Sequence, residues 1–161
     1  IAPFTMTNQN GQTITEKDYE NKVYVADFFF TTCPSICPIM TKNMFSLQEK
    51  LKTKYPEVKL LSYSVTPEID TIEQLKRYAI ENKVDDKIWN LVTGDKKEIY
   101  TLARKSYLVV QNDGNGGPHD MIHTENFVLI DKENRIRGYY DGTDINEMDR
   151  LITEIGMLKN D

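Results

Sequence analysis

Residues 23–30 read VYVADFFF, a near-continuous apolar run. A strand apolar on both sides has to be covered on both, which places it in the interior of a sheet. The elements around it follow from periodicity. VKLLSYSV (58–65) and IWNLVTG supply two further strands, and each of these runs is followed by a helical stretch. Met40, Met44, Leu47 and Leu51 fall at helical spacing along PIMTKNMFSLQEKLKTK. Pro38 suits the first turn of that helix, where its missing N–H costs nothing. DTIEQLKRYAIEN opens on Asp70 with Glu73 three residues on, which predicts Asp70 as a helix N-cap in a capping-box-like start. KKEIYTLARKSY is a third helix, and QNDGNGGPHD (111–120), with three glycines and a proline, is a loop to which only mobility is assigned.

Upstream, FTMTNQNGQTIT alternates about Asn10-Gly11, a hairpin signal. Downstream, ENFVLID and RIRGYYD form a second hairpin across DKEN. DINEMDRLITEIGML closes the chain as a helix with Ile145, Met148, Leu151, Ile152 and Ile155 on one side. The order is hairpin, β, α, β, α, β, α, ββ, α. It predicts an α/β fold, a thioredoxin-like mixed sheet flanked by helices, with an N-terminal β-hairpin and one domain over 1–161. At 161 residues and 39% apolar, the chain is long enough for one core.

The two cysteines stand together in FFFTTCPSICPIM, where the first strand gives way to the first long helix. In open α/β sheets this is the end at which ligands collect. A helix N-terminus favours the thiolate, the form that attacks disulfides and binds metals. A disulfide between Cys33 and Cys37 would restrict the unfolded chain by only about 2 kcal/mol, too little to explain the pair as a staple. Side chains four apart on a regular helix have Cβ atoms about 5–6 Å apart, against about 3.5–4.5 Å in a disulfide. The spacing tilts toward a metal held between two sulfurs, while the irregular backbone imposed by Pro34 and Pro38 leaves redox chemistry open. His123, just before ENFVLID, is the candidate third ligand. Two thiolates and an imidazole suit copper better than structural zinc, which wants four protein ligands. His119 reads as an exposed loop residue, with an auxiliary ligand role when copper is oxidised as the alternative. Met40 and Met44 are read as core, and Phe28 to Phe30 as core with at most one ring shielding the site.

DFFFTTCPSICPIMTKNM, SYSVTPEIDTIEQLKRYA and IHTENFVLIDKENRIRGYYDGTD, in that order, resemble the blocks of the Sco/SenC family of copper-binding, thioredoxin-like proteins. The resemblance implies Cys33, Cys37 and His123 as ligands of Cu(I) or Cu(II), with cuprous ion held nearly linearly by the thiolates. It implies a copper-handling or partner-contact role for Asp70. It also implies delivery to the dinuclear copper centre of cytochrome c oxidase, with oxidase subunit II or another copper or thiol protein as partner. The implied location is the bacterial periplasm or outer face of the cytoplasmic membrane, or else the mitochondrial intermembrane space. The family often has aspartate just before the ligand histidine; Ile122 stands there here, which bears on affinity or partner choice. The alternatives are a thiol–disulfide oxidoreductase that reduces partner cysteines and a redox or copper sensor.

The balance of 20 basic against 25 acidic residues, net −5, argues against nucleic-acid binding. No apolar run approaches the roughly 20 residues of a membrane helix, and no signal peptide is visible. The chain begins at Ile1 and not at methionine, so contact with a membrane is expected only through an N-terminal anchor or signal outside it. A monomer is the default expectation.

Overall fold

The computed structural model describes residues 1–32, 36–110, 114, 116–117, 120–122 and 124–159, with the side chains of Ile36 and Cys37 outside that description. Seven strands form one mixed sheet: β1 (Thr5–Asn8), β2 (Thr13–Thr15), β3 (Tyr24–Phe29), β4 (Lys59–Ser64), β5 (Trp89–Thr93), β6 (Asn126–Ile130) and β7 (Ile136–Asp141). Their spatial order is β2-β1-β5-β4-β3-β6-β7. β3, β4 and β5 are parallel neighbours, while both hairpins add antiparallel strands at the edges. The helices are α1 (Ile36–Lys54), α2 (Ile72–Glu81), α3 (Lys96–Thr101) and α4 (Ile145–Lys159). α3 runs into a π-helical turn, Leu102–Ser106.

The apolar run behaves as its composition requires: every residue of β3 is buried. Alternate side chains enter two cores. Val25 and Phe29 join Met40, Met44, Leu47 and Leu51 of α1, Leu75 and Ala79 of α2, and the buried face of α4. Tyr24, Ala26 and Phe28 join Ile99 and Tyr100 of α3, Ala103 of the π turn, Tyr107 just after it, and Phe4 and Met6 of the N-terminal segment. The central strands β3, β4, β5 and β6 therefore feed both layers from alternate faces.

The Asn10-Gly11 turn forms as expected, with Gly11 at φ 76°, a backbone conformation that glycine reaches without strain. Two expectations are corrected. The N-cap of α2 is Thr71, whose hydroxyl accepts from the Gln74 N–H; Asp70 lies one residue earlier and points inward. Ile145 begins α4 but is 49% exposed, because the apolar stripe that meets α1 starts one turn later at Met148.

Candidate metal centre

β3 runs toward Cys33 and β6 runs away from His123. The two are antiparallel neighbours, with Tyr24 opposite Ile130, Val25 opposite Leu129 and Ala26 opposite Val128. That register puts the last residue of β3, Phe29, and the first of β6, Asn126, at the same end of the sheet. The N-terminal end of α1, with Cys37 in its first turn, follows Cys33 by three residues. Cys33, His119 and His123, and the side chain of Cys37, lie outside the described residues. Among the described residues, no group of three or more His, Cys, Asp and Glu is placed to hold a metal ion. What the described residues build is a frame in two halves, one on the chain that leads to Cys33 and one on the chain that leads to His123.

The first half of that frame is Asp70, which is 0% exposed. Its Oδ1 accepts from the Thr31 hydroxyl (2.5 Å), and its Oδ2 accepts from Ser64 Oγ (2.6 Å), Thr66 Oγ1 (3.0 Å) and the Thr31 N–H (3.3 Å). Gln74 Nε2 of α2 donates to Thr31 Oγ1 (3.0 Å). A buried carboxylate without partners is costly; here donors from two chain segments, Thr31 and Ser64 with Thr66, satisfy it. The result ties Thr31, two residues before Cys33, to the carboxyl end of β4 and the start of α2. Thr31, Ser64, Thr66 and Gln74 were not singled out in the sequence, yet a signal existed. Ser62 and Ser64 of β4 and Thr66 two residues beyond it put a hydroxyl at every second position of a largely apolar run, which marks one face as polar inside the protein.

Ser62 serves another carboxylate. It donates to Asp27, which lies in the middle of β3 and is 2% exposed, and accepts from Trp89 Nε1 (3.0 Å). Burial pushes the Asp27 carboxyl up to about 7, against the opposing effect of the Ser62 hydrogen bond.

The second half of the frame precedes His123. Asp120 forms a two-pronged ion pair with Arg104 of the π turn, Nη1 to Oδ2 at 2.6 Å and Nη2 to Oδ1 at 2.7 Å. Hydrogen bonding to the Arg104 guanidinium holds the Asp120 carboxyl down at about 2. Ile122, which stands where the resembling family often has aspartate, is 1% exposed and packs into the core that holds Phe28, Tyr63 and Tyr107. A carboxylate at 122 in this environment would be desolvated. Position 122 therefore supplies apolar packing and no charge. Phe30 touches both cores and is half-buried, in keeping with a ring that partly covers this end of the sheet.

The SCO1/SenC family model matches residues 1–159. The chain is 33% identical to the SCO1 protein homolog of Bacillus subtilis over 156 residues, 96% of this chain and 80% of that protein. It is 32% identical to the mitochondrial human SCO1 homolog over 115 residues, 70% of this chain and 37% of that protein, so it spans well under half the length of the human relative. Among solved structures it is similar to BsSco, a member of the Sco family of cytochrome c oxidase assembly proteins in which a disulfide switch was identified. The TM-score is 0.83 at 32% identity, over 97% of this chain and 91% of that one. It is also similar to a SCO1/SenC family lipoprotein from Bacillus anthracis, with a TM-score of 0.78 at 34% identity and 94% of each chain covered. Arabidopsis thaliana ScoI, solved with copper bound, matches with a TM-score of 0.76 at 27% identity over 97% and 98% of the two chains. The thioredoxin-like sheet, the position of the cysteine pair in the sequence shortly after β3, and this agreement across nearly the whole sequence lead to one conclusion: the chain belongs to the SCO1/SenC family.

Proposed function

We propose that the chain is a copper-binding metallochaperone that delivers copper for assembly of the dinuclear centre of cytochrome c oxidase. Copper is its cargo. Cys33 and Cys37 hold cuprous ion as thiolates, soft ligands for a soft ion, and His123 completes the set. The observation that carries this reading is the β3–β6 pairing, which brings the chain leading to Cys33 and the chain leaving His123 to one end of the sheet. The copper-bound Arabidopsis relative and the oxidase-assembly role of the Sco family support it. A site of few ligands at a sheet end suits transfer by ligand exchange, with oxidase subunit II or another copper or thiol protein as acceptor. The chain works as one thioredoxin-like domain and as a monomer. It faces the outside of a bacterial cytoplasmic membrane, in keeping with its lipoprotein relative, or the mitochondrial intermembrane space, in keeping with its mitochondrial relatives.

Anaerobic titration of the reduced protein with cuprous ion tests the reading. One copper per chain is expected, with thiolate-to-copper absorption, and none in the Cys33→Ser, Cys37→Ser double variant. Copper uptake that survives loss of both sulfurs contradicts it. A thiol–disulfide reductase would need the two cysteines but not the imidazole. Reduction of a disulfide substrate together with absence of copper binding would assign the chain to that class instead.

A further inference from the structure

The Arg104–Asp120 pair differs from the surface ion pairs of the protein. Its side chains are 9% and 10% exposed, whereas those of Lys50 and Asp149 are 42% and 76% exposed. Arg104 reaches Asp120 from the π turn, in which the Tyr107 N–H donates to the Leu102 carbonyl at 2.7 Å. The wider turn lets Ala103 and Tyr107 both be buried while Arg104, between them, turns to the loop. The guanidinium lies 5.7 Å from the ring of Tyr100, whose hydroxyl donates to the Val65 carbonyl (2.6 Å) and approaches Met121 Sδ (3.7 Å). Asp120 Oδ2 also accepts from the Gly116 N–H at 2.9 Å. A Cβ on Gly114 would collide with both the guanidinium and the carboxylate. The described residues of the glycine-rich loop are thus wrapped around this pair. Gly114 packs on it, Gly116 bonds to it, Asp120 is half of it, and Met121 and Ile122 carry the chain from it into the core.

A buried ion pair rarely adds net stability over apolar packing of the same volume, because desolvation offsets the attraction. A two-pronged guanidinium–carboxylate pair does fix direction as well as distance. We propose that Arg104 and Asp120 are a positioning pair for the metal-binding imidazole of His123, three residues beyond Asp120. The inference rests on the ligand assignment above. With the pair formed, the chain approaches position 123 from a single direction, and the imidazole is presented to the two sulfurs without a search.

The test is a double-mutant cycle on cuprous affinity, measured by competition with a chelator in four chains: the parent, Asp120→Asn, His123→Ala, and both together. Groups that orient a metal ligand typically contribute 10–100-fold to affinity, so Asp120→Asn is expected to weaken binding about 10-fold when His123 is present. In the His123→Ala background it should change nothing further. Equal losses in both backgrounds, or no loss in either, overturn the positioning role while leaving the ligand assignment standing. His123→Ala with unchanged affinity overturns the ligand assignment and this inference with it. Should Asp120→Asn fail to fold, the Arg104→Met, Asp120→Leu double variant leaves no unpaired charge and is read in the same cycle.

Discussion

At the scale of single residues, two buried carboxylates divide the polar work of the sheet. Asp70 is braced by four donor contacts near Cys33. Asp70→Ala would strand the hydroxyls of Ser64 and Thr66 in the interior, at a cost of about 3 kcal/mol; urea denaturation reads this, and a loss below about 1 kcal/mol would contradict the brace. Asp27 acts through pH. Its folded-state value of about 7 lies above the ordinary 3.8. The native chain therefore retains a proton that the unfolded chain releases, and stability falls as pH rises from 3.8 toward 7, then levels. Asp27→Asn keeps an acceptor for Ser62 and is expected to flatten that slope. Unfolding midpoints at several pH values across the window decide it, and a slope that survives the substitution would exclude Asp27 as its source. Neither carboxylate's role was legible in the sequence. Asp70 has the residue type and the spacing of an N-cap, and only the register of α2, which starts one residue later, turns it inward.

At the scale of elements, the helices carry most of the testable packing. Met44 is 0% exposed on the face of α1 that meets the sheet. Met44→Ala is expected to cost about 3 kcal/mol, as large-to-small core changes do; an effect under 1 kcal/mol would show that this face is not packed as described. Thr71 caps α2, so Thr71→Ala should cost about 1 kcal/mol. The Asp70 and Thr71 variants separate the brace at Asp70 from the cap that the sequence placed on the same residue. Strand and helix order was legible here, because VYVADFFF, the Asn10-Gly11 turn and the Met40–Leu51 stripe each carry a strong local signal. The π turn was not legible. KKEIYTLARKSY has helical composition throughout, and what widens its last turn is tertiary, the burial of Ala103 and Tyr107 in the same core.

At the scale of the whole molecule, the long-range event is the antiparallel pairing of β3 with β6. It joins two stretches of sequence that no local pattern links, and it brings the end of the strand that precedes the C-x-x-x-C motif and the start of the strand that follows His123 to one end of the sheet. The cysteine pair and His123 are candidates from residue type and position in the sequence, and the resemblance to a family is what turns His123 from a candidate into an implied ligand. The frame of Asp70, Arg104 and Asp120 needed the fold. The account of this molecule is that three side chains, Cys33, Cys37 and His123, close on one copper ion. X-ray absorption at the copper edge of the 1:1 cuprous complex examines that directly. It should show two sulfur scatterers and one imidazole nitrogen, with the imidazole signal absent from the His123→Ala complex. A parent spectrum with sulfur ligands and no imidazole, or one unchanged by His123→Ala, would contradict it.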